Sequence, residues 1–180
     1  MKNKQTKKLL HKVLKEVFDF SKLFLFSLVI SMFIKNTVVA CAVVPTGSME
    51  NTVMPGSKII INRLAYTFEE PQRGDIVSFY YPDDGKTIYL KRIIGLPGET
   101  VEVIDGVVYI DKKPLIEEYI KEEMLGDFGP FTVPEDSYFM MGDNRNNSWD
   151  SRYWNDKYVD FNEIVGQAEI EYYPEIKALK

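Results

Sequence analysis

The feature that most constrains this chain is an uncharged run of twelve residues, Leu23–Ile34, set behind a lysine-rich head. A membrane span usually takes about 20 apolar residues, so the run alone is short. Extending it back through Phe18 and Phe20 brings it close to a span, and Lys22 and Lys35 can reach the interfaces along their long stems. The expected organisation is a basic cytoplasmic head over 1–16, a membrane anchor helix over 17–36 and an extracytoplasmic body over 37–180. A flexible basic tail is an equally good reading of the head taken alone.

Two other readings share this pattern. Ala40-Cys41-Ala42 resembles a small-x-small cleavage site behind a removable secretory signal, and Val38-Val39-Ala40-Cys41 loosely resembles a lipoprotein processing site. Either cut would leave only a short stub before Ser48, without most of the strand that should hold it. Cys41 is better read as a small buried hydrophobe.

Residues 1–35 carry eight lysines against Glu16 and Asp19, a net +6, and the remainder holds 14 basic against 25 acidic residues, a net −11. An acidic body is the wrong sign for displacing counterions from phosphates, so no nucleic-acid partner is expected. One cysteine excludes internal disulfides and cysteine-rich zinc sites. The one histidine, His11, precedes the apolar run, so a Ser-His-Asp triad in the body is unavailable. No cofactor or metal is expected, although carboxylate metal sites stay open.

From Thr37 the pattern turns to β. Val38–Val44, Lys58–Asn62, Asp75–Tyr81, Thr87–Ile94, Thr100–Ile104 and Val107–Ile110 are short runs enriched in Ile, Val, Tyr and Phe, and Ser137–Met141 and Ile164–Tyr172 follow. Turn signals such as Pro55-Gly56, Arg73-Gly74 and Leu96-Pro97-Gly98 separate them. Asp105-Gly106 reads as a two-residue hairpin. Residues Pro114–Phe131 are charged and loop-like, with a short helix expected at Ile116–Met124. The fold class is mostly β, an antiparallel sheet or barrel-like domain behind one transmembrane helix.

Three segments carry chemistry. Pro45-Thr46-Gly47-Ser48-Met49 places a serine beside glycine and a second hydroxyl, where the backbone bends freely. A serine hydroxyl is a poor nucleophile until a base removes its proton. Lysine can be that base only when neutral, and at an ordinary pKa of about 10.4 roughly one in 2,500 is neutral at pH 7. Apolar burial can lower that pKa by up to ~3–5 units. Lys91 lies in Ile88-Tyr89-Leu90-Lys91-Arg92-Ile93-Ile94, a segment without an acid and apolar on both faces. A strand lysine more commonly guards an edge, and Ser48 is what turns the reading toward chemistry. The third segment, Gly142-Asp143-Asn144-Arg145-Asn146-Asn147-Ser148-Trp149-Asp150-Ser151-Arg152, reads as a hydrogen-bonded loop in which one hydroxyl orients the amine and Asp–Arg pairs lock the turn.

In this order the three segments resemble the signature boxes of the type I signal peptidases, membrane-bound Ser/Lys proteases that remove signal peptides from exported proteins. The resemblance implies Ser48 as nucleophile, Lys91 as general base, Ser148 holding the Lys91 amine, and the Ser48 N–H with the Thr46 hydroxyl as oxyanion hole. It implies Val44, Pro45, Met49, Val53, Tyr89 and Leu90 as walls of pockets for small residues at positions −1 and −3. Asp143, Arg145, Asp150 and Arg152 match structural positions. The implied partners are secretory preproteins as substrates and the lipid bilayer, with one span and the N-terminus cytoplasmic. Oligomeric state is not implied.

Three departures stand out. Asn146 replaces the usual aspartate, which is expected to weaken a local charge pair. Glu50-Asn51-Thr52 replaces a commoner proline-containing turn, and Trp154-Asn155 replaces a frequent aromatic-glycine pair. Two other classes compete with this reading. One is a soluble self-cleaving Ser/Lys enzyme, which would carry a DNA- or partner-binding segment. The other is an anchored β-domain that binds peptide strands, with Ser48 only a turn residue.

Overall fold

A computed structural model of the chain describes residues 2–179, with side chains from Leu10 onward. It divides into two units, Met1–Val38 and Val39–Lys180. The first is one helix, α1 (Lys2–Thr37). No glycine or proline occurs before Pro45, and Lys, Leu, Glu and Met are good helix formers, so nothing stops the helix within the lysine-rich segment that the sequence left as a head. Leu10–Thr37 is apolar and long enough to cross a membrane, at about 1.5 Å per residue against a hydrocarbon core of about 30 Å. Phe18, Phe20, Leu23 and Phe24 are exposed along it, as a lipid-facing helix requires and as a core helix would not tolerate.

The second unit is two antiparallel sheets. The larger contains β1 (Val39–Val43), β2 (Lys58–Asn62), β3 (Ile76–Tyr80), β4 (Ile88–Gly95), β9 (Ser137–Met141), β10 (Val159–Asp160), β11 (Ile164–Tyr173) and β12 (Lys177–Ala178). Its order is β1-β2-β11-β3-β4-β9-β10, with β12 also on β11. The smaller sheet, in the order β7-β6-β5-β8, joins β5 (Thr100–Ile104), β6 (Val107–Ile110), β7 (Lys113–Pro114) and β8 (Phe128–Thr132). Asp105 and Gly106 both have positive φ between β5 and β6, as a tight hairpin of the type I′ class demands.

Three apolar clusters hold the unit together. Val44, Met49, Val53, Ile59, Ile61 and Ile76 pack beneath the segment that carries Ser48. Val77, Phe79, Ile93, Met140 and Trp154 fill another cluster, and Val101, Val103, Val108, Phe139 and Met141 join the two sheets. Met49 and Val53 are fully buried, and each is worth about 1.5–3 kcal/mol of apolar transfer. The segment that carries Ser48 is thus fixed from below by its own flanking side chains.

Two expectations are corrected. Ile116–Met124 forms turns and bends without a helix, and Ile116 is exposed. Its polar groups are committed to the neighbouring loops, described below, so tertiary bonds replace helical ones. Cys41 is exposed. Strand alternation in β1 turns Ala40 and Ala42 onto the core and Cys41 to the other face.

Candidate active site

Ser48 begins a compact turn. After β1 the chain passes Pro45 and winds back on itself, with Glu50 N–H donating to the Gly47 carbonyl (3.1 Å) and Val53 N–H to the Met49 carbonyl (2.7 Å). The Glu50 side chain folds over Gly47: a Cβ there would stand 2.5 Å from Glu50 Oε1, so a larger residue would have to displace that carboxylate. The polar loop after β9 clamps the turn from the other side. Asn144 N–H donates to the Ser48 carbonyl (3.1 Å), and Asn144 Nδ2 donates to the Gly47 carbonyl (2.9 Å).

Lys91 comes from the middle of β4. Its Nζ donates to Ser48 Oγ at 2.6 Å, and the side chain is 4% exposed. Burial pushes the Lys91 ammonium down to about 8. Arg152 pushes in the same direction, while Asp150 and Asp143 push it up. The amine is therefore less remote from carboxylates than its own strand suggests, yet desolvation outweighs them. Tyr89, two residues back on the same face, places its ring 5.5 Å from Nζ.

Asp143, Arg145, Asp150 and Arg152 are all buried. Arg152 Nε and Nη2 grip Asp150 at 2.8 Å each, and Asp150 Oδ2 accepts from Gly142 N–H at 3.0 Å. The other two pairs reach outside the loop. Asp143 receives a fork from Arg92 of β4 (2.9 and 2.7 Å), and Arg145 forks onto Glu117 (2.7 and 2.5 Å). Arg92, Glu117 and Asn144 are structural members of the site that the sequence reading left unassigned. A charged residue in a buried strand with no acid beside it was the available signal for Arg92.

Ser148 is buried, and its Oγ has no hydrogen-bond partner among the described residues. It lies close to Ser48 nonetheless: a Cβ on Gly142 would overlap both Ser148 Oγ and the Ser48 carbonyl oxygen. The Lys91 amine is held by Ser48 itself in this state.

An apolar groove of about 450 Å³ opens onto the Ser48–Lys91 pair, and Val44, Pro45, Thr46, Met49, Tyr89 and Leu90 all line it. Val53 sits in the core cluster with Met49, outside the groove wall. Ala42, Ile59, Ser78, Ile88 and Trp149 are among its other lining residues. Among the described residues no three His, Cys, Asp or Glu side chains converge as metal ligands would. A buried hydroxyl in contact with a desolvated amine, beside an apolar groove, is the equipment of acyl transfer.

The family profile described as "Signal peptidase, peptidase S26" matches residues 17–173. A probable signal peptidase I-2 of Synechocystis is 36% identical over 87% of this chain and 73% of its own length. A signal peptidase I of Leptolyngbya laminosa is 38% identical over 82% and 75%. Signal peptidase I P of Bacillus subtilis subsp. natto is 34% identical over 88% and 90%. With a profile match from the helix through β11 and relatives aligned along most of both chains, this chain belongs to the signal peptidase family of S26 serine endopeptidases.

Proposed function

We propose that this chain removes N-terminal signal peptides from exported preproteins, with Ser48 as nucleophile and Lys91 as general base. The observation that carries the reading is the 2.6 Å contact between Lys91 Nζ and Ser48 Oγ, with the amine nearly out of water. Neutral Lys91 takes the Ser48 proton as Oγ attacks the scissile carbonyl. The Ser48 N–H and the Thr46 hydroxyl receive the oxyanion. The leaving amine takes the proton back from Lys91, and a water that Lys91 deprotonates then releases the acyl group from Ser48. Ser148 supports the amine once Ser48 has become the ester.

The substrate lies extended in the groove as an added strand. Val44, Pro45, Met49, Tyr89 and Leu90 leave room for small side chains at positions −1 and −3, and a larger residue would lift the carbonyl off its donors. The apolar helix holds the enzyme to the membrane with its N-terminus cytoplasmic, so the head, anchor and peptidase body follow one another as 1–16, 17–36 and 37–180. Cleavage of a preprotein with an Ala-x-Ala site, compared among wild type, Ser48→Ala and Lys91→Ala, tests this reading. Loss in both variants with the fold retained is expected, and near-normal cleavage by either would end it.

A further inference from the structure

Segment 115–125, between β7 and β8, crosses from the polar loop to the nucleophile turn and is bonded to both. Lys121 Nζ meets Glu50 Oε2 at 2.5 Å, and Asn51 Nδ2 donates to the Tyr119 carbonyl at 3.0 Å. Lys121 N–H donates to the Asp143 carbonyl at 3.3 Å. Asn146 uses both ends of its amide: Nδ2 donates to the Glu123 carbonyl and Oδ1 accepts from Leu125 N–H, each at 2.9 Å. An aspartate at 146 could accept but could not donate, so an amide is what suits this docking. Glu50, Asn51 and Asn146 are thus three of its attachment points, beside the Asp143 carbonyl and the buried Arg145–Glu117 pair.

Glu50 links the attachment to the chemistry. Its carboxylate lies over Gly47, occupying the place of that residue's missing side chain, and faces Asn144 Nδ2 at 3.4 Å, the same amide that holds the Gly47 carbonyl. Losing Lys121 frees a carboxylate packed one residue before Ser48. We propose that Glu50 and Lys121 are positioning residues, whose ion pair docks segment 115–125 on the nucleophile turn and fixes the Gly47–Ser48 backbone for attack. This inference rests on Ser48 being the nucleophile.

A merely structural role predicts something different. The pair is partly solvent-exposed, with the Lys121 and Glu50 side chains 44% and 24% exposed, and pairs of this kind add little to stability. Loosening of the turn should instead appear in kcat, because small misplacements of a nucleophile are costly.

The test uses the full-length chain in detergent and a preprotein with an Ala-x-Ala site. Lys121→Ala and Glu50→Gln should lower kcat about tenfold with KM changed less than about twofold. Their melting temperatures should stay within about 2 °C of wild type. Lys121→Arg should retain most of the wild-type kcat. A wild-type kcat in Lys121→Ala, or a loss that tracks melting temperature and is not restored by arginine, would overturn the inference. Ser48→Ala separates the two levels. If it still cleaves, the nucleophile is wrong; if it is inert while Lys121→Ala is normal, only the role given to the ion pair fails.

Discussion

Lys91 and Arg92 are neighbours in β4 and serve the site from opposite faces of the strand. Lys91 reaches Ser48 Oγ at 2.6 Å, while Arg92 forks onto Asp143 at 2.9 and 2.7 Å and lays its guanidinium 3.8 Å from the centre of the Tyr119 ring. Asp143 also accepts from Thr52 Oγ1 of the nucleophile turn at 2.5 Å. One strand therefore brings an amine to Ser48 and, through its next residue, anchors both the polar loop and the serine turn.

Replacing Lys91 separates activity from stability. Its folded pKa of about 8 lies below its ordinary 10.5, so the unfolded chain binds more protons between these values and wild-type stability rises with pH across that window. Below about pH 8 the cost of the buried ammonium is fully present, about 3 kcal/mol at most. Lys91→Met should abolish cleavage yet raise stability at pH 7 by about 1–3 kcal/mol, with the gain shrinking above pH 8. Denaturant unfolding at pH 7 and pH 10 checks it; a variant less stable than wild type at pH 7 would count against a desolvated amine.

Asp143→Asn should be among the most destabilising changes in the peptidase body. Arg92 is 1% exposed and would keep its charge without its carboxylate partner. Breaking one half of a buried pair costs about 3–5 kcal/mol. Thermal unfolding reads the result directly, and a change under about 1 kcal/mol would show that Arg92 finds water or another acceptor.

Gly142→Ala should impair cleavage more than folding. The added methyl would collide with Ser148 Oγ and the Ser48 carbonyl oxygen, at the junction of loop and nucleophile turn. Displacing a nucleophile by about 1 Å can cost about 100-fold in rate. Single-turnover cleavage measures that loss, and full activity would show that the turn has slack.

Ser148→Ala should fold as well as wild type, within about 0.5 kcal/mol or slightly more stable, because the Oγ it removes is buried with no hydrogen-bond partner among the described residues. If that hydroxyl takes over the Lys91 amine after Ser48 is acylated, kcat falls while KM holds. Unchanged kcat would remove Ser148 from the mechanism.

Much of this site could be read locally. The β-runs showed because they are short, β-branched and punctuated by turns such as Asp105-Gly106. Lys91 showed because its own strand contains no acid. What stayed hidden depends on long-range partners. Arg92 finds Asp143, Arg145 finds Glu117, and Asn144 finds Gly47, each across a distant stretch of sequence. β8 was missed because Gly129 and Pro130 interrupt its pattern; it pairs only with β5, on the edge of its sheet, where proline is tolerated. Cys41 looked like a core residue from its composition, and only the register of β1 against β2 sends it outward.

The most direct test of a neutral Lys91 acting on Ser48 is kcat/KM for preprotein cleavage by the full-length enzyme as a function of pH. A neutral Lys91 base gives a rising limb with an apparent pKa of about 8, set by burial of the amine. A limb near the ordinary lysine value of about 10.4, or a flat profile across that range, would contradict it.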